Sequence, residues 1–207
     1  YDAKLDTKGV PVIALAGTCM EAGKTAAACA IIARMRHRGL NVHAFKATGV
    51  SLRRDILAME DAGARKSMIF TDFGVGTTTA KVGPALTRTM LTEMCAGDPD
   101  VVVFDLGDGI LGAYGVGAIL ASPDIRNGIT GIVLSANDPV AAWGGVKLLR
   151  DQFGIEPAVV TGPSTDNQVG VDIIRERMGV PAFNAMQDGA ALGDRVIEAA
   201  GLAAKFP

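Results

Sequence analysis

Aromatic side chains are scarce in this chain of 207 residues: one tryptophan, two tyrosines and seven phenylalanines, 5% of the whole. A nucleic-acid surface built on stacking is therefore not expected. Charge of one sign is missing too, because 20 Lys and Arg against 22 Asp and Glu leave a formal net charge of −2. No global field draws in DNA or an anionic membrane, so affinity for phosphate has to be local. The three cysteines, Cys19, Cys29 and Cys95, form no CxxC pair and are odd in number, which argues against a disulfide framework or a zinc ribbon. A reducing cytoplasm is the expected location. The two histidines, His37 and His43, fit no metal-ligand spacing and read as surface or structural residues. No apolar run approaches the roughly 20 residues that cross a bilayer, and no signal sequence precedes the first strand. The chain opens on Tyr1 instead of methionine, as expected of a processed chain or of the C-terminal part of a longer protein.

What is present is apolar and rich in glycine: 49% hydrophobic residues and 26 glycines. That composition and length suit one α/β domain over residues 1–207, with helices packed closely on a sheet. The most informative segment is Gly17-Thr18-Cys19-Met20-Glu21-Ala22-Gly23-Lys24-Thr25, which closes an apolar strand over residues 10–16 and opens an alanine-rich helix over residues 23–38. A turn at Gly23 points successive N–H groups inward at a polyphosphate, Lys24 adds a mobile positive charge, and the Thr25 hydroxyl is placed to hold Mg²⁺. The segment is a phosphate-binding loop, or P-loop. Its usual spacing, GxxxxGK followed by Ser or Thr, puts a glycine where Thr18 stands; here the glycine comes one residue earlier, at Gly17.

Strands and helices then alternate. Residues 41–46 read as a second strand, and a polar stretch over residues 48–79 as active-site loops with a helical piece near residues 55–62. Pro84 suits the first turn of a helix whose Leu86, Met90 and Met94 recur at core spacing. Val101-Val102-Val103-Phe104-Asp105 reads as a buried parallel strand ending in a carboxylate. Further strands are expected over residues 131–135, 157–161 and 180–184. Asp138 and Pro139 start a helix carrying Val146, Leu149 and Phe153, and two last helices carry Val171, Ile174, Met178 and Leu192, Val196, Ala200. The fold class is α/β: a doubly wound, mostly parallel sheet with helices on both faces, the P-loop NTPase fold.

In such a sheet ligands lie beyond the carboxyl ends of the strands. Lys46, at one such end, either reaches the γ-phosphate or an anionic substrate, or snorkels as a surface lysine. Asp105 is the candidate second metal ligand, its alternative being a cap for the Gly107 turn. Asp72 is a metal-ligand candidate or a plain turn former. Glu21 either orients a substrate amine or accepts from a loop N–H, and Cys19 reads as a small loop residue. The glycines over residues 107–117 bring backbone close to a ligand or supply a tight turn. Base recognition is expected near Thr161-Gly162-Pro163 and Asn184-Ala185-Met186. No guanine-selective NKxD motif occurs, which tilts the donor toward ATP.

The loop GTCMEAGKT resembles the GTDTEVGKT loop of dethiobiotin synthetase, Thr18 and Glu21 included. Phe45-Lys46-Ala47-Thr48-Gly49 is similar to that family's YKPVASG segment, whose lysine contacts the substrate carbamate and the phosphates. The resemblance makes Asp105 the counterpart of the magnesium-binding glutamate of EGAGG and Asp72 a candidate for the other acidic ligand. Cys19 stands where that family has aspartate, and DLGDG replaces EGAGG. Over the middle of the chain a second resemblance is closer, to the P-loop domain of the D-glutamate N-acetyltransferase-like family. It rests on Ala47-Thr48-Gly49, on Thr71-Asp72-Phe73-Gly74-Val75-Gly76, on Asp108-Gly109-Ile110-Leu111 and on Tyr114-Gly115-Val116. Members of that family carry a further N-terminal domain; the glutamines of their GQTG and GQG motifs are missing here.

The first resemblance implies an ATP- and Mg²⁺-dependent ligase that phosphorylates a small carboxylate or carbamate for ligation or ring closure. Its catalytic residues would be Lys24, Lys46 and Glu21, its metal ligands Thr25, Asp72 and Asp105, and its partner a small anionic or amino-acid-like substrate. The second implies an amino-acid N-acyltransferase domain using acetyl-CoA. A third class, the nucleotide-dependent switch, resembles partitioning ATPases, but their KGGxGKT loop has an additional lysine that residues 16–20 lack. A homodimer is compatible with each.

Overall fold

The computed structural model describes residues 4–203; Tyr1 lies outside them. The elements follow as β1 (Val12–Gly17), α1 (Lys24–His37), β2 (Val42–Thr48), α2 (Arg53–Asp61), β3 (Lys66–Ile69), α3 (Gly83–Cys95), β4 (Val101–Gly109), α4 (Val116–Ala121), α5 (Pro123–Gly128), β5 (Gly131–Ser135), α6 (Pro139–Phe153), β6 (Val159–Thr161), α7 (Gln168–Met178) and α8 (Gly189–Ala199). The six strands form one sheet in the order β3-β2-β4-β1-β5-β6, every neighbouring pair parallel.

The central strands are apolar along their whole length because both faces are covered: every residue of β1, β2 and β4 is buried. Right-handed crossovers put α1 and α2 on one face and α3 to α7 on the other. The contacts agree, since α1 packs on α2 and α8, α3 on α4 and α5, and α6 on α7. The chain therefore leaves β1 toward one face and β4 toward the other, and a crevice opens where these neighbours part.

Local chemistry accounts for the element ends. α1 begins at Lys24 because Gly23 takes a left-handed φ of 92° that a helix cannot continue. Its alanines favour helix, and Arg34, Arg36 and His37 in its last turn complement the helix dipole. Arg34 and Arg38 grip Asp194 of α8, and the Arg34 hydrogen bond first, then Arg38, holds that carboxyl down at about 2. Asp138 caps α6 as expected, accepting from the N–H of Val140 at 2.8 Å and of Ala141 at 2.9 Å. Leu86, Met90 and Met94 are core. His43 is buried, its Nδ1 bonded to the Met94 carbonyl at 2.9 Å, and His37 is exposed, so both are structural or surface residues.

Three expectations are corrected. Within residues 48–79 lies a strand, β3, on the edge of the sheet. Residues 107–117 are not all loop: β4 runs on to Gly109, and α4 and α5 precede β5. Residues 180–184 form only an isolated bridge, Ala182 beside Val160, since Pro181 has no N–H to extend a ladder and the Asn184 side chain caps the following turn.

Candidate functional site

The phosphate loop is closed around its own lysine. Lys24 is 3% exposed, and its Nζ donates to the carbonyls of Cys19 at 2.7 Å and Met20 at 3.2 Å. Burial lowers its pKa; Asp105, then Cys19 and Asp108, oppose that. The displaced glycine has a steric cause: a Cβ at Gly17 would lie 2.7 Å from Lys24 Nζ and 3.0 Å from its Cδ. Gly17 is thus the floor over which Lys24 folds. The Thr18 N–H donates to Ser135 O at 3.0 Å, and the Cys19 sulfur accepts from Asn137 Nδ2 at 3.1 Å, which ties the loop to the end of β5.

Strand register brings two more charges alongside. Lys46 on β2 is paired with Asp105 on β4, and Asp105 in turn with Leu15 on β1. Asp105 is buried, its Oδ1 has no hydrogen-bond partner, and its carboxyl is pushed up to about 6 by burial, against the pull of Lys24 and Lys46. Lys46 is not a snorkelling surface lysine: it is 4% exposed and its Nζ lies 2.5 Å from Asp55 Oδ2. Lys24, Thr25, Glu21, Lys46, Asp55 and Gly107 line one crevice of about 500 Å³ beyond the strand ends.

The structure does not bring Asp72 into this crevice. Its Oδ2 accepts from the Ile69 N–H at 2.9 Å and closes the single turn Phe70–Phe73, the geometry of a turn former. The acidic residue beside Lys46 is instead Asp55, in the first turn of α2. Sequence reasoning placed it only at the start of a helical piece. The available signal was a carboxylate at a helix N-terminus shortly after a strand-end lysine.

A divalent ion fits these residues: the unpartnered buried oxygen of Asp105 and the lining hydroxyl residue Thr25 are the kind of sparse donor set that Mg²⁺ completes with phosphate and water. Among the described residues no group of three or more His, Cys, Asp or Glu forms an all-protein cage.

Most of the glycines after Asp105 serve backbone packing. A Cβ at Gly107 would lie 2.2 Å from Thr48 O and 2.7 Å from Lys46 Cε, and one at Gly109 2.9 Å from Thr18 O. Gly107→Ala is therefore expected to push β2 from β4 and to destabilise the fold by about 2 kcal/mol or more, visible as a lower Tm. An unchanged Tm would show that the strand ends yield freely. Thr78 is buried with its Oγ1 accepting from Gly49 N at 3.4 Å, so it supports this packing. The loop after β6 reaches the phosphate loop, as a Cβ at Gly162 would lie 2.4 Å from Ala22 O. Asn184 is buried beside it, donating to Asp166 Oδ1 at 2.9 Å.

No protein-family model and no curated protein sequence matches the chain. Solved structures do. The signal recognition particle receptor FtsY from Elizabethkingia anophelis superposes with a TM-score of 0.60 at 17% identity, over 92% of this chain and 66% of its own. A DUF1611 family protein from Anabaena variabilis gives 0.63 at 12% identity, over 96% of this chain and 61% of its own. A nucleotide-binding protein from Archaeoglobus fulgidus, in complex with ADP, gives 0.58 at 11% identity, over 89% and 87%. The chain has the P-loop NTPase fold. At these identities the likeness is one of fold, and the chain spans less than two thirds of the length of the first two proteins. Within a P-loop NTPase fold, the crevice over Lys24 stands at the usual mouth between diverging strands. No helix among the described residues is long and apolar enough to cross a membrane.

Proposed function

We propose that the chain is an ATP-dependent phosphoryl-transfer enzyme of the dethiobiotin synthetase-like kind, activating the carboxylate or carbamate of a small anionic acceptor. The observation that carries this reading is the buried Asp105, unpartnered at one oxygen, beside Lys46 across the β2–β4 register and under the electrostatic pull of both Lys24 and Lys46. Plain nucleotide binding needs only the loop and its lysine; a second buried lysine, paired with Asp55, suits a second anion.

The parts take these roles. Lys24 leaves the Cys19 and Met20 carbonyls for the phosphates, whose charge also restores the lysine's ordinary basicity. Thr25 and Asp105 would hold Mg²⁺, which supplies neutralisation of charge on the β- and γ-oxygens. Asp55 orients Lys46, and Lys46 holds the acceptor oxygen in line with the γ-phosphorus. Transfer of that phosphoryl group releases ADP and makes phosphate the later leaving group when a nearby amine attacks. Glu21, exposed on the loop, is positioned to receive such an amine. The absence of an NKxD motif from the sequence favours ATP over GTP as donor.

Lys46→Ala is expected to lower acceptor-stimulated ADP release by about 10²- to 10³-fold while changing nucleotide affinity little, as coupled-assay kinetics and calorimetry would read. Unchanged turnover would remove Lys46 from the mechanism. Displacement of bound ATP by acetyl-CoA would move the assignment to acyl transfer.

A further inference from the structure

A hollow that shares no lining residue with the crevice lies on the layer of helices α3 to α7. It encloses about 300 Å³ between Ile110 and Leu111 on one side and Ala141, Gly144, Gly145 and Leu148 of α6 on the other. Its two glycines differ in cause. A Cβ at Gly145 would lie 2.9 Å from Leu134 Cδ2 and 3.1 Å from Thr18 Cγ2, so packing on the sheet accounts for that glycine. Gly144 is exposed, and a Cβ there would meet nothing within 4 Å. Glycine inside a helix weakens it relative to alanine, and nothing within the chain offsets that weakening at Gly144. A second backbone packed against α6 at this point would, because the distance between two helix axes is set by the side chains at their contact.

The surroundings of Gly144 are apolar. Leu111 is 83% exposed, Val140 79% and Trp143 53%. With the partly buried Ala141 and Leu148 these side chains present on the order of 450 Å² to solvent, a large patch for a monomer and about the apolar share of a standard interface of roughly 800 Å² per partner. From Pro139 to Leu148 the only charge is Lys147, already ion-paired with Asp151 of the same helix at 2.7 Å.

We propose that a second copy of the chain covers this face, with α6 packed antiparallel on its counterpart across a two-fold axis at Gly144. The contact is then self-complementary: Val140, four residues before the axis, projects toward Leu148 of the partner subunit, four residues after it, and the reverse. Each hollow receives an apolar knob. Parallel packing would instead set Lys147 against Lys147 of the partner subunit and align the two helix dipoles.

Sedimentation equilibrium on the full chain without nucleotide is expected to show a dimer at micromolar concentration. Gly144→Gln and Leu111→Asp should each raise its dissociation constant about 100-fold, with the circular dichroism of the parent retained. Gly144→Ala separates association from folding: it should weaken the dimer about tenfold, yet the dissociated variant should melt no lower than the dissociated parent, since alanine favours helix. Leu57→Asp, an equally severe change at an apolar residue of α2 that is 51% exposed, should leave the dimer intact. A chain that stays monomeric at about 100 µM overturns the proposal and leaves the face to an unlike partner. So does a dimer that Leu57→Asp dissociates, or one that Gly144→Gln and Leu111→Asp leave intact.

Discussion

Lys24→Ala is expected to weaken binding of Mg²⁺-ATP by about 100-fold or more, because a charged hydrogen-bond donor buried beside the phosphates is lost with nothing to replace it. The fold should survive. In the free protein Lys24 bonds two loop carbonyls from a buried position, so removing it leaves those carbonyls to water entering the crevice. Isothermal calorimetry gives the affinity and circular dichroism the integrity of the fold. Gly17→Ala offers an independent route to the same end, since the added Cβ would meet Lys24 along its length and the Cys19 carbonyl that holds its amine. If both variants bound nucleotide like the parent, the loop would not be the phosphate site, and the proposed function would fall with it.

Asp105→Asn is expected to do two opposite things: abolish metal-dependent turnover and stabilise the metal-free protein at neutral pH. The Asp105 carboxyl is raised from 3.8 to about 6, chiefly by burial. Between those values the folded chain keeps a proton that the unfolded chain has given up, so stability declines as pH rises from about 4 to about 6 and stays lower above that. The loss amounts to at most about 3 kcal/mol. Without an ionisable group the variant avoids it, and at pH 8 its Tm is expected roughly 5 to 10 °C above the parent's, the difference closing below about pH 4. Melting curves across pH, with a chelator present, measure this directly. Equal melting at pH 8 would mean that the carboxylate is already neutralised within the fold. Saturating Mg²⁺ and ATP should reverse the order of stability, because only the parent retains the carboxylate that the ion needs.

The segments that were legible from sequence are those in which chemistry and periodicity coincide. Residues 17–25 carry turn, charge and hydroxyl in one run, and β1 and β4 are apolar throughout because both their faces are covered. β3 was missed because Lys66-Ser67-Met68-Ile69 is short, half-buried and on the sheet edge, with no alternation to read. Residues 180–184 have strand composition, yet Pro181 withholds a donor and the Asn184 side chain is spent on the N–H groups of Met186 and Gln187. Asp72 and Asp55 show the same limit in the site. Both are acidic residues in polar stretches after β2, and only the path of α2 puts Asp55 against Lys46 while the turn after β3 puts Asp72 against Ile69 N.

By itself the sequence determined the phosphate loop, the α/β class and the apolar run leading into Asp105, since each is a matter of residues adjacent along the chain. Tertiary structure decided which charges meet. Register between β2 and β4 sets Lys46 beside Asp105, and packing denies one oxygen of that carboxylate both water and a hydrogen-bond partner. The same packing gathers Met20, Val50 and Leu52 around one crevice. A pKa and a pocket depend on which distant groups exclude solvent together, and no local pattern of residues records that.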